Sequence, residues 1–483
     1  MHTGALRTIA NEGETDELWR QSFDRMLPEH WRLLVDANGT PADVYDRYVD
    51  GSLQMFGSGQ YSVVFEGVRK VDQKHVVLKM FRLKSFGSVE GVSNELSVAR
   101  ATAAVREIRA LLFVQSLQQR EHTDGGVVRL VDYFRATFSD NLRAVIVTGL
   151  LPTLMARQTL TETEETALCE MVNSDSGQES IIRESFPELA QSRRPPLLFI
   201  ETLFAEGETL LDLMRQYGLK SSDFSPLVNL RIATTALEAL AFLHEAKLLH
   251  GDVSASNVFI QGALEHERAP DGVSSVLIDL GAACRVQHNL SEIGVCNTAG
   301  GTPPYMAPEQ LQLANSTETR PESVSFERRA AWDVYALGMV LYDWNQGDSR
   351  PNELKPNEYN ANNLEQRRDV LRDDASRLPK SPFWMGVEHS DHTINSVLFS
   401  MLKFEDAARI DARSAATRLQ NALRIATAAA EEEQQTPSNR VKRRLSPSNT
   451  HSDDSEDNDD DDDDDVESIE LNKKKKTSIR EAI

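Results

Sequence analysis

The sequence predicts an α+β chain in two unlike lobes, a small β-rich lobe with one main helix and a larger helical lobe, followed by a disordered C-terminal tail. Three observations predict it: short β-branched runs between Leu53 and Phe81, helical periodicity from about Leu210 to Leu423, and low-complexity charged sequence beyond about Thr427. At 483 residues the chain has the length of one large bilobal domain with appendages, or of about three domains. Its 40% hydrophobic and 26% charged residues exclude a wholly disordered, collagen-like or membrane-embedded chain.

The elements follow in order. Residues 1–50 read as an N-terminal helical extension, because Trp19, Phe23, Met26, Leu27, Trp31 and Leu34 form an amphipathic stretch. SVVFEGV and HVVLKMF, separated by Lys70 to Lys74, have the pattern of a hairpin. Asn94 to Leu117 is periodic as a helix, and VVRLVDYF and AVIVTGL read as two further strands. The polar stretch from about 149 to 195 is too long for an ordinary loop and reads as an insertion, after which PLLFIETL resumes as a strand. The long segments LVNLRIATTALEALAFLHEAKLLH and AAWDVYALGMVLYDW then build a helical lobe over 204–425.

Residues 426–483 are too charged and too poor in large apolar residues to offset the entropy of ordering. Thirteen of the carboxylates behind the formal charge of −23 lie between Asp453 and Glu470 with no base among them, so the acidity is largely a tail property. The run reads first as solvated charge and second as a contact for basic protein partners; neither direct nucleic-acid binding nor a membrane partner is expected. Lys442–Arg444 and Lys473–Lys476 read either as nuclear-import signals or as partners for the acids between them, giving an expected location in cytoplasm or nucleus. Cys169, Cys284 and Cys296 are an odd count without metal-type spacing, which argues against a disulfide framework and against zinc. No apolar run is seen to approach the roughly 18 residues of a membrane span.

Four local patterns carry chemistry. Gly57-Ser-Gly59-Gln-Tyr-Ser62-Val-Val64 turns between strands, where glycines let backbone N–H groups approach phosphate oxygens; the same pattern suits an ordinary glycine hairpin. Lys79 shares one strand face with Val77 and Phe81, and a buried ammonium there needs a carboxylate. Glu107 offers one on the apolar stripe Ala103, Leu111 and Val114, although taken alone it equally suits a half-exposed place at the stripe's edge, and Glu95 is the alternative partner. His250, Asp252 and Asn257 lie in a small-residue loop before an apolar strand, and Asp279 follows the next strand. Asp279 and Asn257 are hard oxygen ligands of the kind Mg²⁺ takes, leaving Asp252 as a base; singly, such an Asp is most often a turn residue and such a His a satisfied core residue.

In this order the motifs resemble the protein kinase family over roughly residues 51–425, a bilobal fold with its small lobe at 51–203. The glycine-rich loop matches Gly57, Gly59, Ser62 and Val64, the strand lysine Lys79 and the helix glutamate Glu107. The catalytic loop matches His250, Asp252 and Asn257, the Asp-Phe-Gly motif matches Asp279-Leu280-Gly281, and Ala307-Pro308-Glu309 stands intact, followed by Asp333 and by Arg409 as a partner for Glu309. The resemblance implies ATP and Mg²⁺, with Ile200 as gatekeeper, Val77 narrowing the adenine pocket, and the backbone of Glu201 and Leu203 meeting the adenine edge. Thr302 resembles the substrate loop of serine/threonine kinases, so the implied reaction is transfer of the ATP γ-phosphoryl group to Ser or Thr of protein substrates. Ser446-Pro447 resembles a proline-directed phosphorylation site.

Two positions depart from the family's pattern. Gly251 replaces an arginine that receives an activation-loop phosphate, so the loop is expected to act without one. Ser254 replaces a lysine that touches the transferring phosphoryl group, which leaves a pseudokinase, a nucleotide-binding scaffold with negligible turnover, as the alternative.

Overall fold

The computed structural model of the chain describes residues 12–26, 32–35, 38–58, 62–82, 94–156, 166, 168, 170–186, 196–204, 206–216, 218–219, 221–262, 272–286, 300–314, 324–346 and 394–435. Gly59, Cys169, Cys296, the acidic run and both basic clusters lie outside these residues.

Helix α1 (Glu12–Met26) opens the chain. Leu34, expected on the same amphipathic stretch, instead lies in extended backbone, its N–H donating to Arg135 O at 2.8 Å. The hairpin follows as predicted: β1 (Gln54–Ser58), β2 (Ser62–Val68) and β3 (His75–Arg82) pair antiparallel, and the β2–β3 turn is tightened by Gln73 at φ 56°. Helix α2 (Asn94–Glu121) and β4 (Leu130–Thr137) come next.

AVIVTGL is not a strand. It lies inside helix α3 (Asp140–Ala156), whose β-branched residues misled a local reading because the segment is apolar on more than one face. Leu142, Ile146, Val147 and Leu150 are all buried, at the i, i+4, i+5 and i+8 positions of a helix against a sheet. A second helix, α4 (Asp175–Ser185), is capped by Ser174, whose hydroxyl accepts from Gly177 N–H. The chain then returns as β5 (Pro196–Leu203), completing a sheet of order β1-β2-β3-β5-β4.

Alternation along these strands sends two sets of side chains to opposite faces. Phe65, Leu78, Met80, Leu197 and Phe199 pack under α3 and α4, while Phe81, Leu198 and Ile200 pack toward α2. The sheet is thus covered on both faces. Gly149 makes the close approach of α3 possible, since a Cβ there would sit 2.4 Å from Met55 Cβ on β1.

The second lobe is built on helix α6 (Pro226–Glu245), preceded by β6 (Gly207–Thr209) and α5 (Leu210–Gln216). Ser225 caps α6 through Val228 N–H, and Pro226 occupies the first turn, where its missing donor costs nothing. This helix is long and apolar enough to cross a membrane, contrary to the expectation that no run approaches that length, but most of it is buried in the core. Strands β7 (Val258–Gln261) and β8 (Ser274–Leu277) pair with β6 in a small sheet. Helices α7 (Pro308–Ala314), α8 (Phe326–Gln346), α9 (Ile394–Met401) and α10 (Ala412–Gln435) complete the lobe. Trp344 ties α8 to α6 by donating from Nε1 to Asn229 Oδ1 at 3.0 Å. Cys284 is disulfide-bonded, so an odd count of three excludes a full framework but not a single bridge.

Replacing Gly149 with valine must push α3 off β1, because the displaced atom is a Cβ rather than a flexible side-chain end. Gly149→Val is expected to lower stability by about 1–3 kcal/mol, seen as a lower urea midpoint. A midpoint equal to wild type would show that α3 is not seated on β1.

Candidate active site

A cleft of about 930 Å³ opens between the lobes, roofed by β1 to β3 and floored by β7 and the residues after β8. Gly57, Val64, Val77, Lys79 and Ile200 line it from above, and Asn257, Phe259, Ile278 and Asp279 from below. Phe259 and Ile278 were not singled out in the sequence. The alternation of β7 carries the signal for Phe259: Val258 and Ile260 are buried in the core, so Phe259 faces the cleft.

Period two sets Lys79 on the cleft face of β3, and the α2 stripe brings Glu107 opposite. Lys79 Nζ lies 2.8 Å from Glu107 Oε2, 3.1 Å from its Oε1 and 2.9 Å from Asp279 Oδ1. Glu107 is the partner the helix presents. Burial opposes the charged form of Lys79, but the two carboxylates outweigh it and raise the lysine's pKa. Glu107 is pushed up to about 7, mainly by burial and against the pull of Lys79, with Asp279 adding repulsion. Asp279 is itself held below the usual carboxylate range despite burial, chiefly by Lys79 and by Gly281 N–H. It sits at φ 60°, ψ 80°, a left-handed conformation that Asp tolerates better than most residues.

The catalytic-loop candidates are organised from behind by Asp333 on α8. Its Oδ2 accepts from His250 N–H at 2.9 Å and meets His244 Nε2 at 3.0 Å, while its Oδ1 accepts from Gly251 N–H at 3.0 Å. His250 is fully buried, with Nε2 at 3.1 Å from Ile278 O, fixing the backbone just before Asp279. Asn257 Nδ2 donates to Asp252 O at 2.9 Å, which turns the Asn257 carbonyl oxygen outward as an acceptor. Thr302 Oγ1 donates to Asp252 Oδ1 at 2.6 Å. Ser254 is buried with its hydroxyl 2.9 Å from that of Ser256.

The structure gives Gly251 a local cause. Its φ is +78°, and a Cβ would lie 2.6 Å from Ala282 O, so no side chain fits that backbone. Arg409, as expected, clasps Glu309 with both guanidinium ends, Nη2 to Oε2 at 2.8 Å, and also donates to Phe404 O at 3.1 Å.

The side chain of Glu201 turns away from the cleft into a buried cluster with Arg47 and the Tyr48 hydroxyl. The Leu203 N–H donates to Arg129 O at 2.9 Å, because β4 starts early enough to pair with the end of β5. Ser62 is buried and does not line the cleft, whereas Val64 does.

Among the described residues no three His, Cys, Asp or Glu side chains cluster as a self-sufficient metal site. Asp279, with its carboxylate at the cleft, and Asn257, with a free amide oxygen, instead fit Mg²⁺, which takes one or two protein oxygens and completes its shell with water and phosphate.

The chain belongs to the protein kinase family: the model described as "Protein kinase domain" matches residues 155–419. That match begins after β4 and does not include Gly57, Lys79 or Glu107. The chain is similar to the serine/threonine-protein kinase ArnS of Sulfolobus acidocaldarius, 29% identical over 157 residues, covering 31% of this chain and 22% of that protein. It is also similar to the probable serine/threonine-protein kinase zyg-1 of Caenorhabditis briggsae, 31% identical over 170 residues, 33% of this chain and 20% of that one. Serine/threonine-protein kinase PknB of Mycobacterium leprae is 31% identical over 156 residues, 32% and 21% of the two chains. The matched stretch spans about a fifth of the length of these relatives.

Asp333 offers a test of the loop's support. Burial is the largest influence on its carboxyl and pushes the pKa up, but His244, His250 and the Gly251 N–H outweigh it, and the net shift is downward. A depressed native pKa stabilises above the unfolded value of about 3.9 and is lost as pH falls through the native value below it. Asp333→Asn is therefore expected to cost about 3 kcal/mol at neutral pH, and to flatten the stability profile below pH ~4. Urea titrations of both proteins at several pH values measure it; parallel profiles would rule the linkage out.

Proposed function

We propose that this protein is a serine/threonine kinase that transfers the γ-phosphoryl group of ATP to hydroxyls of protein substrates. The observation that carries the reading is the closed Lys79–Glu107–Asp279 contact in the same cleft as Asn257, whose amide donates to Asp252 O and so ties the Asp252 loop to that cleft. Lys79, its ammonium fixed by Glu107, holds the α/β-phosphates. Asp279 and Asn257 hold Mg²⁺, which when bound offsets the negative charge of the phosphates. Asp252 orients the acceptor hydroxyl and accepts its proton, and Thr302 keeps the Asp252 carboxylate aimed by its 2.6 Å hydrogen bond. Val77, Ile200 and Phe259 enclose the base, and Gly57 lets the loop strand lie close over the phosphates. Little covalent chemistry falls to the protein in such a transfer; positioning and electrostatics supply the rate. The names of the relatives support the acceptor class, as does Thr302.

Ser254 favours a second reading, the scaffold with negligible turnover. It presents no cation to the transferring phosphoryl group, and its hydroxyl is engaged by Ser256.

Asp252→Ala is expected to abolish transfer from radiolabelled ATP to mixed protein substrates while keeping the Tm rise given by millimolar Mg²⁺-ATP. Asp279→Ala should remove most of the metal-dependent part of that rise. An unshifted Tm in wild type would remove the nucleotide site itself.

A missing preorganised donor typically costs about 10²–10³ in rate, so Ser254→Lys should raise kcat substantially with little change in the KM for ATP. Steady-state kinetics of both forms decide the matter. If neither transfers phosphate while both are stabilised by Mg²⁺-ATP, the scaffold reading stands.

A further inference from the structure

Helix α7 begins at Pro308, so Ala307 is the residue that precedes it and Gln310 lies in its first turn. Alanine has no polar side chain with which to cap a helix, and the cap comes from within the helix instead: Gln310 Oε1 accepts from Ala307 N–H at 3.2 Å. An acceptor is all that this requires. Gln310 also carries an amide NH2, which reaches the loop before Thr302, Nε2 donating to Gly300 O at 2.6 Å. The residue is buried, so this second bond has little competition from water.

The loop so gripped is the one that reaches Asp252. Just beyond Gly300, Thr302 donates to Asp252 Oδ1 at 2.6 Å, and its carbonyl accepts from Tyr305 N–H at 2.9 Å in the turn Pro303–Tyr305. Gly301, between Gly300 and Thr302, has φ 143° and packs closely: a Cβ there would lie 3.1 Å from Gln310 Nε2 and 3.5 Å from Gly251 O. The Gly300-Gly301 backbone therefore lies between the Gln310 amide and the catalytic loop. Gly251, on the catalytic-loop side, has no side chain with which to hold its neighbour by charge. A neutral amide belonging to the chain itself does the holding.

We propose that Gln310 positions the substrate loop over Asp252, by a clamp that needs no phosphate on the loop. Its carbonyl oxygen holds the start of α7 and its NH2 holds Gly300, so loop and helix move together and Thr302 stays within reach of Asp252. The inference rests on the kinase reading of the cleft and adds to it how the acceptor side is kept in place. Gln310 is a positioning residue and touches no reacting atom. Its two hydrogen bonds go to Gly300 and Ala307, neither of them to the nucleotide side of the cleft.

The test uses the full chain with two substitutions that separate the two bonds. Gln310→Glu keeps an acceptor for Ala307 N–H, a carboxylate being favourable in a first helical turn, and removes the donor to Gly300 O. Gln310→Met removes both without adding charge. Measured are transfer from radiolabelled ATP to mixed protein substrates, KM for ATP, Tm with and without Mg²⁺-ATP, and hydrogen exchange over residues 300–307. Expected for Gln310→Glu are a fall in protein phosphorylation on the order of 10- to 100-fold, faster exchange over 300–307, an unchanged KM for ATP and a Tm close to wild type. Gln310→Met should repeat the loss of transfer and add a lower Tm. Phosphatase treatment of wild type should leave exchange over 300–307 unchanged.

Near-normal transfer or unchanged exchange in Gln310→Glu overturns the proposal and leaves Gln310 a helix cap alone. Faster exchange in phosphatase-treated wild type also overturns it, since a phosphate would then be doing the holding. A loss of Mg²⁺-ATP stabilisation in step with the loss of transfer overturns it as general damage. Should wild type transfer no phosphate, the kinase reading fails separately and exchange decides: faster exchange over 300–307 in Gln310→Glu upholds the clamp, and unchanged exchange removes it.

Discussion

A single ammonium between two carboxylates, Lys79 with Glu107 and Asp279, is the contact on which the rest of the structure depends. The three groups come from a strand, a helix and a loop 200 residues apart in the chain. Lys79 and Glu107 are largely removed from water, where an unpaired charge is costly and a paired one is strong, while Asp279 keeps part of its carboxylate open to the cleft. The small lobe can hold Lys79 and Glu107 there only if α2 stays against the sheet, and the large lobe can deliver Asp279 only if its loop is fixed. The upward shift of Glu107 to about 7 marks how finely the pair is balanced: burial and the second carboxylate work against the attraction of the lysine.

Two buried ionic contacts fix the large-lobe side. Asp333 accepts from successive backbone N–H groups of His250 and Gly251, so the catalytic loop hangs from the rigid helix α8 rather than from its own short strands. Arg409 clasps Glu309 and caps carbonyls on its own approach loop, joining the Ala307-Pro308-Glu309 turn to the last helix. Both contacts are satisfied on nearly every side, the condition under which a buried ion pair specifies geometry instead of merely costing desolvation.

The small lobe is unusually well covered. Helices α3 and α4 close one sheet face, α2 the other, and α1 lies behind α2 with Trp19 between two guanidiniums. The β1 strand that leads into the glycine loop is therefore packed against α3 through Gly149 and Met55. Each added layer limits the freedom of an element that handles phosphate, so the appendages bear on the cleft rather than standing apart from it.

The sequence by itself determined the order of the motifs, the strand face that carries Lys79 and the helix stripe that carries Glu107, because periods of two and 3.6 are properties of the backbone and survive in any local window. It also singled out Asp252, Asn257 and Asp279, while the pairing of Arg409 with Glu309 came from the family resemblance that its motifs carry. Only the tertiary structure decided that AVIVTGL is helical, since an apolar segment sandwiched between elements loses the one-sided pattern that separates helix from strand. Only the fold showed that Gly251 has no room for a side chain, that the Leu203 N–H is already used by Arg129, and that α1 reaches Arg285. Those outcomes depend on which atoms, far apart in the chain, end within 3 Å of each other, and that distance is set by packing, which no local pattern encodes.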